Sequence, residues 1–247
     1  MKHYAIIGRP ISHSIAGQWF SKRFRELSID ADFRMIIPAE TEMKDFRTWV
    51  LDNKFDGLLV TIPLKMDVMR FLDEIDEQAK EIHAVNMISV TDGKLKGYNT
   101  DHVAFESQIK RVRPDGFKKA IIMGIGGAAA AVIYALKRNG IEFIKVSRRK
   151  EFGDILYNEL TESDFKDADL IINTTPLGMA AYKNDFPPLN YSLINNNALA
   201  FDLIYNPEQT VFLKKCAEIG CQTENGMGMV EFVYERAMET WGLTHEA

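Results

Sequence analysis

Cysteine is scarce in this chain of 247 residues, which has only Cys216 and Cys221. Two thiols build no disulfide framework, and neither stands at zinc-ligand spacing from a histidine. They read as reduced packing residues of a cytoplasmic protein, and no metal is expected. Positive charge is also in deficit: 30 Lys and Arg face 35 Asp and Glu, for a formal net charge of −5. No basic stripe is read beyond Arg148-Arg149-Lys150, which argues against a nucleic-acid partner. Long apolar runs are missing as well. Tyr4 to Ile7 before Gly8 is too short for an export signal and reads as a first strand. Ala120 to Leu136 is uncharged, but Gly124, Gly126 and Gly127 interrupt it and it falls short of the ~20 residues of a spanning helix, so no membrane partner is expected. There is no internal repeat and no low-complexity segment. What remains is an ordinary globular composition, 46% hydrophobic, enough for one large core or two smaller ones.

Strand-like and amphipathic helical runs alternate, the pattern of βα units on a mostly parallel sheet. Strands are expected at Tyr4 to Ile7, Asp32 to Ile37, Gly57 to Val60, Met87 to Thr91 and Leu95 to Tyr98. Helices are expected at Ser14 to Leu27, Glu42 to Asn53 and Met66 to Phe71, with a further piece before His83. Asp92-Gly93 marks a hairpin turn. A helix over Asp101 to Lys110 ends at Arg113-Pro114-Asp115-Gly116, a turn cluster that looks like a domain boundary. Beyond it, Lys119 to Met123 leads into Gly124-Ile125-Gly126-Gly127-Ala128-Ala129 and an Ala-rich helix stopped by Gly140. Strands follow at Ile141 to Ser147, Leu170 to Asn173 and Leu199 to Leu203, with helices at Gln209 to Ile219 and Val230 to Trp241.

Several residues carry candidate chemistry. Pro63 cannot donate to a ladder, so the strand ending at Val60 should stop there and leave Lys65 at its carboxyl end. In open α/β sheets that is where ligands bind; Lys65 is either a proton-transfer or anion-binding group or a solvated lysine after a turn. Asp101 opens a helix after Asn99-Thr100. It reads as a helix cap or, paired with a lysine beside a hydroxyl, as part of an acid-base arrangement. Asn86 has the same strand-end placement, or is a turn residue. In the glycine loop, Gly124 permits the turn, Gly126 lets backbone approach a pyrophosphate, and Ala129 keeps the helix close to the strand, the pattern of a dinucleotide site with its anion at the helix amino terminus. About 20 residues on, an NAD site places an acid. Here stand Ser147, Arg148 and Arg149, which suit a 2′-phosphate and so NADP; the alternative is a solvated basic turn.

Eight motifs in order resemble the shikimate dehydrogenases and span nearly the whole chain. They are Gly8-Arg9-Pro10-Ile11-Ser12-His13-Ser14, Val60-Thr61-Ile62-Pro63-Leu64-Lys65, Ala84-Val85-Asn86, Tyr98-Asn99-Thr100-Asp101, Gly124-Ile125-Gly126-Gly127-Ala128, Asn173-Thr174-Thr175-Pro176-Leu177-Gly178-Met179, Asp202-Leu203-Ile204-Tyr205-Asn206-Pro207 and Asn225-Gly226. The resemblance implies an α/β enzyme of two domains that reduces 3-dehydroshikimate with NADPH in a cleft between them. A mostly parallel substrate domain would cover 1–101 plus 226–247, a Rossmann-type domain 102–225, and the last helix would return to the first domain. It implies Lys65 and Asp101 as the catalytic pair, and Ser14, Thr61, Asn86 and Tyr205 as substrate contacts. Gly124, Ile125, Gly126, Gly127, Ala128, Ser147, Arg148, Arg149, Leu203 and Gly226 resemble the cofactor contacts. A monomer or homodimer is expected.

The departures from the family pattern are Ala16 for a serine, Gly17 for a proline, Leu59 for an asparagine, Met87 for a small residue, Ala104 for a glycine, and Val233 for a substrate-contacting glutamine. Each hydrogen bond lost to a charged substrate would remove about 1.5 to 3 kcal/mol. This thinning leaves two rivals: a dehydrogenase of quinate or a related cyclic hydroxy acid, and a non-catalytic NADP- or metabolite-binding homologue.

Overall fold

The structure is a computed structural model that describes residues 1–11 and 14–244. Ser12 and His13 of the Gly8-to-Ser14 motif, and residues 245–247, lie outside the described residues. The chain forms two compact units, Met1–Thr100 with Phe232–Ala247, and Asp101–Glu231.

The first unit runs β1 (Lys2–Ile7), α1 (Ala16–Glu26), β2 (Ala31–Ile36), α2 (Glu40–Lys44), α3 (Phe46–Asp52), β3 (Gly57–Val60), β4 (Glu74–Ile75), α4 (Glu77–Ile82), β5 (Met87–Thr91) and β6 (Lys94–Tyr98). Its six-stranded sheet has the order β2-β1-β3-β5-β6-β4. Strand β1 is parallel to β2 and β3, β4 is parallel to β6, and β5 runs against both β3 and β6. The reversal of β5 follows from its hairpin: Asp92 (φ 50°) and Gly93 (φ 74°) both take positive φ, the turn that matches strand twist. The single helix expected over Glu42 to Asn53 is two, because Asp45 leaves helical geometry and its carboxylate caps α3 through the Thr48 amide. The expected Met66 to Phe71 helix is a 3₁₀ turn over Asp67–Phe71.

In the second unit, α5 (Asp101–Val112) precedes β7 (Lys119–Met123), α6 (Gly127–Arg138), β8 (Glu142–Ser147), β9 (Ile155–Leu156), α7 (Glu162–Asp167), β10 (Leu170–Asn173), β11 (Leu199–Asp202), α8 (Val211–Glu218) and β12 (Gln222–Glu224); α9 (Met227–Thr240) begins in this unit and from Phe232 onward belongs to the first. The sheet order is β12-β11-β10-β7-β8-β9, and every paired neighbour is parallel. Order reverses between β7 and β10, the crevice where doubly wound sheets take ligands. The turn cluster at Arg113–Gly116 is therefore not a domain boundary: α5 packs on α6 inside this unit. The strands that the sequence did not signal, β4, β9 and β12, are two or three residues long at sheet edges, too short for periodicity to register.

Each sheet is covered by its own core. In the first unit Ala5, Ile7, Leu58, Val60 and Ile88 pack on Phe46, Val50 and Val68. On its other side, Phe20 stacks on Phe33 at 4.2 Å and Trp241 stacks on Tyr4 at 4.6 Å. Trp241 follows α9, and this is how the chain's end returns to the first unit. Its indole Nε1 donates to the Ile88 carbonyl at 3.0 Å, and Gly57 makes room, since a Cβ there would strike the indole. In the second unit Ile121, Ile171 and Ala200 pack on Phe165, Phe212 and Leu213. Among the described residues no helix is long and apolar enough to cross a membrane, and no group of His, Cys, Asp and Glu is arranged to hold a metal ion.

Candidate active site

In the first unit the candidate residues gather where β1, β3 and β6 end. The Thr61 amide donates to the Ile7 carbonyl (2.9 Å) and the Arg9 amide to the Ile62 carbonyl (2.7 Å), so the segments after β1 and β3 are laced together. Gly8 is required there, because a Cβ would run into the Thr61 methyl and the Ile62 carbonyl. Leu64 turns back onto Thr61 (3.0 Å), and the Lys65 carbonyl accepts from the Val85 amide (2.8 Å), which sets the half-buried Lys65 beside the segment that carries Asn86.

Asn86 is not at a strand's carboxyl end as expected. It precedes β5, and only the reversal of that strand brings it to the same edge as Thr61 and Lys65. There it is a buried cross-link, not a turn residue. Its Nδ2 donates to the Thr100 Oγ1 (3.0 Å) and its Oδ1 accepts from the Thr100 amide (2.8 Å), while Asn99 donates to the Ala84 carbonyl (2.9 Å). Asp101 follows directly as the first residue of α5, where the helix dipole favours a carboxylate. The Ser14 Oγ accepts from the Ala16 amide (3.2 Å), so α1 begins two residues later than expected.

The departures from the family pattern are mostly interior. Leu59 and Met87 are register partners at 2% and 1% exposure, and Ala16 and Ala104 have no exposed surface. These four expose almost no surface, so the expectation that several of the departures thin a polar pocket rests on the others. Val233 on α9 is half-buried and keeps some surface.

In the second unit the glycine loop sits at the reversal of strand order. Gly124 has φ 114°, and a Cβ on it would collide with the Thr174 hydroxyl, which itself donates to the Met123 carbonyl (2.6 Å). At Gly126 a Cβ would meet nothing within 4 Å, so the backbone lies open ahead of the twelve-residue α6, whose first turn holds no acidic residue. Ile125 is exposed, and Gly127 and Ala128 begin the helix. Open backbone amides, no side chain and no negative charge suit a dinucleotide phosphate. At the end of β8, the buried Ser147 accepts from the Arg149 amide (3.1 Å). Arg148 and Arg149 are exposed, and the Arg149 guanidinium lies 4.4 Å over the Phe152 ring. Burial pushes the Tyr157 phenol up to about 12, opposed by the positive charge of Arg148.

The Leu203 amide donates to the Asn173 carbonyl (3.1 Å), and Gly226 lies so close to the Leu203 carbonyl that a Cβ cannot fit. Tyr205 is half-buried two residues on. The sequence assigns no role to Asn173, Asp202 or Thr210. The structure joins them: Asn173 and Asp202 are register partners ending β10 and β11, all three side chains are without exposed surface, and Asp202 accepts from the other two. The available signal was a polar residue closing each of two apolar runs, Leu170-Ile171-Ile172-Asn173 and Leu199-Ala200-Phe201-Asp202. Burial raises the Asp202 carboxyl to about 7, offset in part by bonds from Thr210, the Ile204 amide and Asn173.

The family model described as the shikimate dehydrogenase substrate binding domain matches residues 6–88. A shikimate dehydrogenase (NADP(+)) of Carboxydothermus hydrogenoformans is 36% identical, over 96% of this chain and 90% of that one. The crystal structure of shikimate dehydrogenase from Aquifex aeolicus superposes with TM-score 0.89 at 29% identity, covering all of this chain and 94% of that one. Shikimate 5-dehydrogenase from Thermus thermophilus, solved in complex with NADP(H) and shikimate, superposes with TM-score 0.83 at 25% identity, covering 98% and 93%.

Proposed function

The chain belongs to the shikimate dehydrogenase family, and from that premise we propose that it catalyses the reversible, NADP-dependent reduction of 3-dehydroshikimate to shikimate. It is an oxidoreductase acting on a CH–OH group, in the shikimate pathway that leads to chorismate and the aromatic amino acids. The observation that carries the catalytic assignment is the edge held by the Asn86–Thr100 cross-link, with Lys65 tied to the segment before Asn86 and Asp101 the next residue in the chain.

In this reading residues 1–101 with 226–247 bind substrate and residues 102–225 bind NADP. NADPH, when bound, supplies the hydride that reduces the ring ketone. The Lys65 ammonium donates a proton to the oxygen on which negative charge grows, and Asp101 accepts a hydrogen bond from the resulting hydroxyl and orients it. Ser14, Thr61, Asn86 and Tyr205 hold the remaining polar groups of the substrate. Gly124 through Ala128 would hold the pyrophosphate, Ser147, Arg148 and Arg149 would receive the 2′-phosphate, and Leu203 and Gly226 would supply further contacts to the dinucleotide. The protein works in the cytoplasm, as a monomer or homodimer whose partners are its small molecules.

Val233 alone, among the departures with surface to offer, favours a quinate-type substrate. A passive NADP- or metabolite-binding role has no use for the retained Lys65 and Asp101. Initial rates of nicotinamide reduction, with shikimate and quinate each offered alongside NADP⁺ and NAD⁺, test the assignment. Shikimate with NADP⁺ is expected to give the highest kcat/KM. Preference for quinate or for NAD⁺ overturns the substrate or the cofactor, and absence of any turnover by folded protein favours the binding role.

A further inference from the structure

Asp202 ends an apolar strand with its carboxylate out of reach of solvent, and what it accepts comes from neutral dipoles. The Asn173 Nδ2 (3.1 Å) and the Ile204 amide (3.0 Å) donate to its Oδ1, and the Thr210 hydroxyl (2.6 Å) donates to its Oδ2. These donors come from three separate segments: the end of β10, the loop after β11, and the residue that caps α8. A buried ionisable group in such a place costs stability that an apolar residue of similar volume would not.

Each segment so held also builds the glycine-loop edge. The Asn173 Oδ1 accepts from the amide (3.0 Å) and hydroxyl (2.7 Å) of Thr175, which bends the chain so that Thr174 closes on Gly124. The Asn173 carbonyl takes the Leu203 amide (3.1 Å), and the Ile204 carbonyl takes the Gly226 amide (3.1 Å). On the far side, Thr210 packs against Gly178, which turns the loop after β10 with φ 108°. One carboxyl group thus sets the loops that carry Thr174, Leu203, Tyr205 and Gly226.

We propose that Asp202 is a positioning residue for NADP(H): by clamping Asn173, Ile204 and Thr210 it fixes the loops after β10 and β11 in the geometry that the dinucleotide binds. This rests on the reading of the second unit as the NADP-binding unit. Asp202 touches neither reactant; it acts through the loops.

The test is direct titration of the full chain with NADPH, followed by its fluorescence, alongside a thermal melt of each variant. Asp202→Ala leaves three donors without their acceptor and is expected to weaken NADPH binding about tenfold or more. Asp202→Asn keeps the Oδ1 acceptor and presents Nδ2 to the Thr210 oxygen, so it is expected to restore binding to within about threefold of wild type. Thr210→Val nearly keeps the shape but removes the donor to Asp202 together with the oxygen that caps α8 through the Leu213 amide (3.3 Å), and is expected to weaken binding about threefold; it decides the matter should Asp202→Ala not fold. A folded Asp202→Ala, or in its absence Thr210→Val, that binds NADPH as wild type does while melting lower overturns the proposal and leaves Asp202 a folding residue. Failure of the wild type itself to bind NADPH brings down the functional reading, and this one with it. Wild-type binding with unchanged variants overturns the positioning role alone.

Discussion

Replacing Asp202 with asparagine should change how stability depends on pH, in a direction opposite to that of ordinary carboxylates. Burial raises the folded-state carboxyl from 3.8 to about 7, so between those values the native state holds a proton that the unfolded state has released. Stability therefore falls as pH rises through this window. The stabilisation is fully present below the unfolded value and lost above about 7, and the whole span is worth roughly 4 kcal/mol at 1.36 kcal/mol per tenfold change in proton affinity. Between about pH 5 and about pH 8 the wild type should lose roughly 2.5 kcal/mol that Asp202→Asn, with no proton to release, keeps.

The groups packed around Asp202 do not confuse the comparison. Burial and the Asp202 charge push the Tyr191 phenol and the Cys216 thiol upward, so both stay neutral throughout. Carboxylates held below their ordinary range by hydrogen bonds, such as Asp73, Glu159 and Asp164, titrate lower and are common to both proteins. The assay is a series of thermal melts of both proteins across the pH range. The difference in midpoint should widen in favour of the variant by roughly 5 to 10 °C from the acid to the alkaline end. A difference that stays flat, or that shrinks as pH rises, refutes the argument that desolvation governs this group.

Three further outcomes are expected. Lys65→Ala should lower kcat about a hundredfold or more with KM within a few fold, read from initial rates on protein shown by circular dichroism to be folded; an unchanged kcat removes Lys65 from the chemical step. Val233→Gln restores a polar group at a departure that keeps surface, and should lower KM for shikimate roughly tenfold; a rise in KM with quinate turnover retained would mean a pocket adapted to another substrate. Trp241→Ala takes away the stack on Tyr4, the bond to the Ile88 carbonyl and the filling over Gly57. It should cost about 3 to 5 kcal/mol in urea unfolding, and a loss below about 1 kcal/mol would show that the chain's end contributes little to the first unit.

Much of the architecture was legible in the sequence because the signals are local. Continuous apolar runs such as Leu170-Ile171-Ile172 and Leu199-Ala200-Phe201 are what strands covered on both faces require. Asp92-Gly93 demands a tight hairpin, and Gly140, at φ 65°, ends α6 as expected. The glycine loop and Lys65 after Pro63 could be found because a ligand at a strand's end needs particular residue types in a short span.

What the sequence could not yield is whatever depends on strand direction and on neighbours distant in the chain. Asn86 looks like a turn residue until β5 is seen to run backwards and carry it to the edge where Thr100 completes its bonds. Leu59 and Met87 look like lost polar contacts until register pairs them inside the sheet. Asp202 resembles any polar residue after a strand; only parallel pairing with β10, and the return of the chain at Thr210, bury it among three donors. Residue type and spacing act through the few bonds next to each residue, whereas burial and polar partnership are set by segments tens of residues apart, and only the folded chain brings these together.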